Sequence, residues 1–260
     1  MIQASGLTRR YAGKPAVESV SFEVAAGQLL ALVGDSGSGK TTTLKMVNRL
    51  VEPDAGRVTI DGRDTTTFEP HALRRSIGYV FQGIGLFPHM TVAENVAVPL
   101  RLLNWTRERT RARVAELLAL VELSPSLAGR FPGALSGGEQ QRVGVARALA
   151  ASPRVMLLDE PFGALDPLTR DRLQRSFDEL RRRLALTAVF VTHDVAEALV
   201  LADRLGVMRA GRLLQIGTPQ ELAQDPVDEE VARLVDTPRR HARLVADRLA
   251  GVARRTDESS

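Results

Sequence analysis

From Gly34 to Thr41 the chain reads G-D-S-G-S-G-K-T, a glycine and four free positions followed by Gly39-Lys40-Thr41. This stretch constrains the fold more than any other, because its chemistry works only between a strand and the start of a helix. Upstream, Gln28 to Val33 is a short apolar run of the kind that forms a buried strand; downstream, Leu44, Val47 and Leu50 recur at helical spacing. At the junction, free backbone N–H groups and the positive end of the helix dipole face whatever binds, which suits a polyphosphate. Glycines at 34, 37 and 39 let the backbone wrap an anion without Cβ clashes. Lys40 supplies a point charge for terminal phosphates, and the Thr41 hydroxyl can ligate Mg²⁺. The flanking strand and helix separate this reading from a glycine-rich turn with a chance lysine.

At 260 residues the chain is long enough to bury a substantial core, as one domain or as one domain with an insertion. The net charge of +4 comes from 35 basic and 31 acidic residues scattered among one another. Such a surface is mixed rather than a basic patch built for nucleic acid. With no cysteine, disulfides and thiolate metal sites are excluded. No apolar run approaches the roughly 18 residues that a membrane helix needs, and Met1 to Arg10 lacks the apolar centre of a signal peptide. A membrane role would therefore pass through a partner.

Ile2 to Val24 alternates apolar and polar residues, as strands of a mostly antiparallel sheet do, with Tyr11 expected in a polar turn between them. Val58 and Ile60 before Asp61-Gly62 predict a further hairpin. Ile77 to Phe81 reads as a buried strand that ends at Gln82. Between Gly83 and Gly133 the pattern turns helical, with Thr106 as an N-cap and Val114, Leu117, Leu118 and Val121 as one stripe. Val155 to Leu158 is an apolar strand ending in Asp159-Glu160. Leu173, Phe177, Leu180 and Leu184 predict a helix, Ala188 to Val191 a strand, and His193 closes it. Leu205 to Met208 and Leu213 to Ile216 flank a turn, and Thr218-Pro219-Gln220-Glu221 has the form of a helix start. Apolar strands alternating with amphipathic helices predict an α/β fold around a largely parallel sheet covered on both faces.

A strand that ends in two carboxylates has a specific use beside a phosphate loop. Asp159 can hold the Mg²⁺ that also meets Thr41, and Glu160 can orient or deprotonate an attacking water. Acids at strand tips also occur as simple caps, and it is the phosphate loop that supplies a reason for a metal. Ser136-Gly137-Gly138 precedes a helix and so offers a hydroxyl and unhindered N–H groups to an anion.

Taken together and in this order, the motifs resemble the nucleotide-binding subunit of an ABC transporter, over residues from about 2 to 237. Gly34 to Thr41, with Asp35, Ser36, Ser38 and Thr42, resembles the Walker A loop, and Val155 to Asp159 followed by Glu160 resembles Walker B. Leu135 to Glu139 is similar to the signature motif, Gln82 to the Q-loop, Ala164-Leu165-Asp166 to the D-loop, and His193 to the switch histidine. Tyr11 is placed like the aromatic residue that stacks on adenine. The resemblance implies a P-loop, RecA-like core with an N-terminal antiparallel β subdomain. It also implies a helical subdomain over about 83–150 and an arginine-rich tail over 238–260. ATP and Mg²⁺ would be the cofactors, with Thr41, Gln82 and Asp159 at the metal and Glu160, His193 and Gln82 at the reacting phosphate. Two copies would close head to tail on two ATP molecules, with Ser136, Gly137, Gly138 and Glu139 of each meeting the nucleotide held by the other. Asp35 and Glu139 depart from the family's commoner residues, and neither is expected to abolish activity. His71, His89 and His241 lie in no cluster and read as structural or surface residues.

The resemblance further implies a peripheral protein on the cytoplasmic face of the inner membrane, partnered by integral-membrane permease subunits and indirectly by an extracytoplasmic solute-binding protein. Gly83 to Val96, Leu44 to Pro53 and Thr237-Pro238-Arg239-Arg240 are similar to importers of osmoprotectants: glycine betaine, choline, carnitine and proline. Importers of amino acids, polyamines or anions share part of this pattern and stay open as alternatives. A soluble ABC ATPase acting on nucleic acid or ribosomes is a further one, disfavoured by a single cassette and a short insertion. The chain is expected to stop before the paired regulatory domains carried by many betaine-importer subunits.

Overall fold

The computed structural model describes residues 2–163 and 165–257, with side chains of the last helix described through Arg248. Ala164, the first residue of the expected D-loop, and positions 258–260 of the tail lie outside the described residues.

Strands β1 (Ile2–Tyr11) and β2 (Lys14–Val24) pair antiparallel, from Ile2 opposite Val24 to Tyr11 opposite Lys14. Ala12 and Gly13, at φ of 48° and 79°, make the two-residue turn, a backbone that matches strand twist. Tyr11 is thus the last residue of a strand and not part of the turn, because the turn needs only two residues. After β3 (Leu29–Val33) the phosphate loop leads into α1 (Lys40–Val47). Leu50 lies past the end of this helix and is 44% exposed, so the expected third apolar contact is absent. The expected hairpin forms as β4 (Ala55–Ile60) and β5 (Arg63–Asp64). Helix α2 (Pro70–Ser76) then precedes β6 (Ile77–Val80), which stops one residue before Phe81.

The helical stretch contains α3 (Val92–Leu102), α4 (Arg107–Leu120) and α5 (Gly137–Leu149). Thr106 caps α4, accepting from the Arg109 N–H. Buried Asn95 fixes the approach to α3, since its amide donates to the carbonyls of Phe87, Met90 and Thr91 while its oxygen accepts from Phe87 N–H. The chain continues through β7 (Val155–Asp159), α6 (Pro167–Arg183), β8 (Thr187–Thr192) and α7 (Val195–Leu201). Leu184, expected in the stripe of α6, caps that helix and is 43% exposed. Strands β9 (Arg204–Arg209) and β10 (Arg212–Gly217) form a hairpin, and α8 (Pro219–Gln224) opens with the expected capping box at Thr218 and Glu221. Helix α9 (Glu229–Asp257) runs through position 237 without a break and contains Pro238.

Two sheets result. One has the order β2-β1-β4-β5 and is antiparallel; the other has the order β10-β9-β3-β8-β7-β6 and is parallel from β9 to β6. The parallel sheet separates two cores, as strand alternation requires. Leu29, Ala31 and Val33 of β3 point with Met156, Leu158 and Phe190 toward α3, α5 and α6. Leu30 and Leu32 point with Val155, Leu157 and Val189 toward α1 and the antiparallel sheet. Each Leu, Val or Phe buried this way contributes roughly 1.5–3 kcal/mol, which is why the interior positions of β3, β7 and β8 are apolar.

The register of the parallel strands makes the site. Val33 lies opposite Thr192, Asp159 opposite Val191, and Val80 opposite Leu158. The residues that follow, Gly34, His193, Glu160 and Gln82, therefore emerge side by side along one carboxyl edge, where ligands bind in open α/β sheets.

Candidate nucleotide site

The phosphate loop is held from below by backbone packing. A Cβ on Gly34 would stand 2.0 Å from the Met208 carbonyl oxygen, and one on Gly39 would stand 2.5 Å from that of Ala16. Both residues also take positive φ, 147° and 101°. The loop is further tied down by Gly211 N–H, which donates to the Ser38 carbonyl at 3.0 Å. Gly34→Ala should therefore destabilise the chain by about 2 kcal/mol or more, since neither backbone can yield cheaply. Urea unfolding without nucleotide would test this, and a loss below about 0.5 kcal/mol would contradict the close approach.

Lys40 is buried, and its ammonium donates to the carbonyls of Gly34 at 2.6 Å and Asp35 at 2.8 Å and to Ser38 Oγ at 3.3 Å. Burial lowers its pKa, opposed by the negative charges of Glu160, Asp35 and Asp159. Asp35, Ser36 and Gly37 at the loop's crest are exposed, while Thr41 and Thr42 are half-buried at the helix start. The side chain of Asp35 is not used by Lys40; its carbonyl is, and any residue supplies one.

Thr41 Oγ1 donates to Asp159 Oδ1 at 2.8 Å, bringing α1 and β7 together. Burial raises the Asp159 pKa, and the hydrogen bonds from Thr41 and Tyr79 work against that shift. These oxygens suit a hard cation. Among the described residues no group of three or more His, Cys, Asp or Glu could hold an ion unaided. A metal at Thr41 and Asp159 would thus complete its shell with phosphate and water, as Mg²⁺ habitually does.

Glu160 follows with φ of 46°, a left-handed backbone that costs a non-glycine residue and recurs at functional sites. The turn aims its carboxylate between two partners. Oε2 accepts from Gln82 Nε2 at 3.2 Å, and Oε1 lies 3.3 Å from His193 Nδ1. Gln82, Glu160 and His193, far apart in sequence, thus form one cluster beside the Thr41–Asp159 pair.

Other expected residues stand elsewhere. Ser136 caps α5, and Glu139 closes a capping box in which its carboxylate accepts both the Ser136 N–H at 2.8 Å and the Ser136 hydroxyl at 2.9 Å. These bonds hold the Glu139 pKa below its ordinary value. Glu139 is therefore tied to the serine of the signature stretch, as the S-x-x-E spacing of a capping box allows. Gly138 packs on α6, where a Cβ would lie 2.5 Å from Thr169 Cγ2, and Asp166 caps α6 through Thr169 N–H. Among the described residues no hydrogen bond joins positions 136–139, or Asp166, to the phosphate loop. Tyr11 is 46% exposed, and its ring faces the Arg9 guanidinium. One contributor went unnoticed in the sequence: the Tyr79 hydroxyl lies 3.4 Å from Asp159 Oδ2. Its only sequence signal is a polar tip in an otherwise apolar strand.

The profile of the ABC transporter family matches residues 17–163. The glycine betaine/carnitine/choline transport ATP-binding protein OpuCA of Bacillus subtilis is 51% identical over 227 residues, which are 87% of this chain and 60% of that protein. The glycine betaine uptake system ATP-binding protein YehX of Escherichia coli is 44% identical over 260 residues, covering all of this chain and 84% of that protein. Among solved structures, the dimeric post-hydrolysis state of the ATP-binding cassette MJ0796 bound to ADP and Pi superposes with a TM-score of 0.76 at 33% identity. It covers 84% of this chain and 98% of that one. The chain spans about 60% of the length of the first curated relatives it matches.

Proposed function

The chain belongs to the ABC transporter family, and from that premise we propose that it is the ATP-hydrolysing subunit of an importer for osmoprotectants such as glycine betaine, choline, carnitine and proline. The observation that carries the hydrolytic part is the Glu160 carboxylate, held between Gln82 and His193 beside the Thr41–Asp159 pair. The solute class is supported by relatives whose names specify betaine, carnitine and choline transport.

In this reading the backbone N–H groups of residues 34–42 and the Lys40 ammonium bind the phosphates of ATP, and Tyr11 stacks on its base. Lys40 exchanges its three intramolecular acceptors, the carbonyls of Gly34 and Asp35 and the Ser38 hydroxyl, for phosphate oxygens. Thr41 and Asp159 would hold Mg²⁺ with help from Gln82, and the ion, when bound, neutralises charge on the β and γ phosphates. Glu160 takes the proton of the attacking water, Gln82 orients the Glu160 carboxylate, and His193 presents its ring to the γ-phosphate side. Ser136, Gly137, Gly138 and Glu139, not hydrogen-bonded to their own phosphate loop, together with Asp166, meet the nucleotide of a second copy. Residues up to 237 would form the nucleotide-binding unit, with 83–150 as its helical subdomain and 238–260 as a tail.

No described helix is long and apolar enough to cross a membrane, so membrane contact would run through permease subunits. The groove between α3 and α4, lined by Glu94, Arg101, Trp105, Arg107, Arg111 and Val114, offers a mixed apolar and charged seat for one. An extracytoplasmic solute-binding protein and a place on the inner face of the cell membrane complete the reading.

Co-purification of the tagged chain from its native membrane, followed by uptake of radiolabelled glycine betaine and choline in cells lacking it, tests the assignment. A co-purifying permease and at least tenfold lost uptake are the expected results. A permease with unchanged uptake would overturn the solute, and absence of any membrane partner would overturn the transporter.

A further inference from the structure

Helix α5, which starts at the Ser136 cap, carries a buried cation near its other end. Arg147 is 7% exposed. No carboxylate pairs with it among the described residues, and burial lowers its pKa. A charge so placed persists only where hydrogen bonds compensate it. Those bonds go to one place: Nη2 donates to the Ile84 carbonyl at 2.8 Å and Nη1 to the Gly85 carbonyl at 2.7 Å, with the Phe87 ring 5.9 Å away. A rigid guanidinium fork can span two successive carbonyls in a way that a lysine ammonium cannot.

The turn that Arg147 grips is strained. Gly83, Ile84 and Gly85 take φ of 72°, 69° and 59° in succession, and a β-branched residue is an outlier in that region. The Ile84 side chain is buried, and its socket is on the same helix face one turn before Arg147. A Cβ at Gly144 would stand 3.0 Å from Ile84 Cγ2, so glycine leaves the room that isoleucine fills. Helix α5 therefore receives both the side chain and the carbonyl of Ile84. The residue immediately before this turn is Gln82, whose amide reaches Glu160.

We propose that Arg147 is a positioning residue for Gln82: its fork holds the strained 83–85 turn against α5, so that the placement of the Gln82 amide on Glu160 is set by the same helix whose first residues are Gly137 and Gly138. The clamp makes the hydrolytic cluster answer to movement of α5. The proposal deepens the ATPase reading and rests on it for its kinetic consequence, whereas the clamp itself is a matter of backbone protection.

Both parts are tested with Arg147→Met, which removes the fork, and Arg147→Lys, which keeps the charge with one donor group; the second stands in if the first does not unfold cooperatively. Hydrogen exchange comes first. The amides of Ile84 and Gly85, bonded to the carbonyls of Phe81 and Gly83, should exchange about tenfold faster in the variants while those in the middle of α1 do not change. Turnover should fall about tenfold with ATP affinity unchanged. On a Gln82→Ala background the same substitution should cost less than about twofold, because a residue acting through Gln82 has nothing left to position. Unchanged exchange at 84 and 85 overturns the clamp. An equal fold loss with and without Gln82, or a loss of ATP affinity in step with turnover, overturns the positioning role. Absence of ATP hydrolysis in the unaltered chain would refute the ATPase reading, while the exchange result still decides the clamp.

Discussion

Glu160→Gln is expected to reduce ATP turnover by about 10²-fold or more while leaving ATP binding within a few-fold of the unaltered chain. The replacement keeps the shape of the side chain and its reach toward Gln82 and His193, at 3.2 and 3.3 Å. What it removes is the ability to accept a proton from water. None of the phosphate-binding groups changes, because the Lys40 ammonium and the loop N–H groups sit on α1 and the turn before it. Binding and chemistry should therefore separate cleanly. The left-handed backbone of Glu160 is as strained with Gln as with Glu, so the fold itself should be indifferent to the change. Steady-state turnover and equilibrium binding of a fluorescent ATP analogue measure the two sides. Near-normal turnover would remove Glu160 from the role of base and leave Asp159 or a phosphate oxygen to take the proton.

How far the site could be read from sequence depended on whether each residue announces itself locally. Gly34 to Thr41 does, because loop chemistry, preceding strand and following helix are contiguous; so does Asp159-Glu160 after an apolar run. Their meeting at Thr41 Oγ1 and Asp159 Oδ1 could not be read locally. It follows from β8 lying between β3 and β7, a strand order that no segment encodes by itself. Tyr79 was invisible for the same reason, since its hydroxyl matters only because β6 pairs with β7 two residues before Asp159. Helices α2 and α7, of seven residues each, are too short for a 3.6-residue period to stand out, and neither was anticipated. Leu50 and Leu184 show the opposite failure: both continue an apolar spacing after the backbone has already left the helix. Glu139 looked like a neutral departure until its carboxylate was found on both polar groups of Ser136. Ser136-x-x-Glu139 is a capping-box pattern, and the same serine that caps α5 is the one the signature reading makes an anion donor.

Lys40→Met is expected to weaken ATP binding by about 10²-fold or more, with little change in stability. Two opposed effects set the stability. Losing the ammonium leaves the Gly34 and Asp35 carbonyls and the Ser38 hydroxyl without their shared donor, at about 1–3 kcal/mol for the most buried of them. Against this, a cation that burial already disfavours is replaced by an apolar chain of similar length, which removes its desolvation penalty. These contributions offset, and the net change should stay within about 1 kcal/mol. Binding has no such compensation. The ammonium is placed to give charge-assisted hydrogen bonds to phosphate oxygens, each worth roughly 1.5–3 kcal/mol, and the loss of two corresponds to about 10²-fold or more in affinity. Thermal unfolding without nucleotide and titration calorimetry with ATP separate the two quantities. An affinity within about threefold of the unaltered chain would mean that the backbone N–H groups of residues 34–42 bind the triphosphate without the lysine. A large loss of stability would instead show that Lys40 serves chiefly to close its own loop.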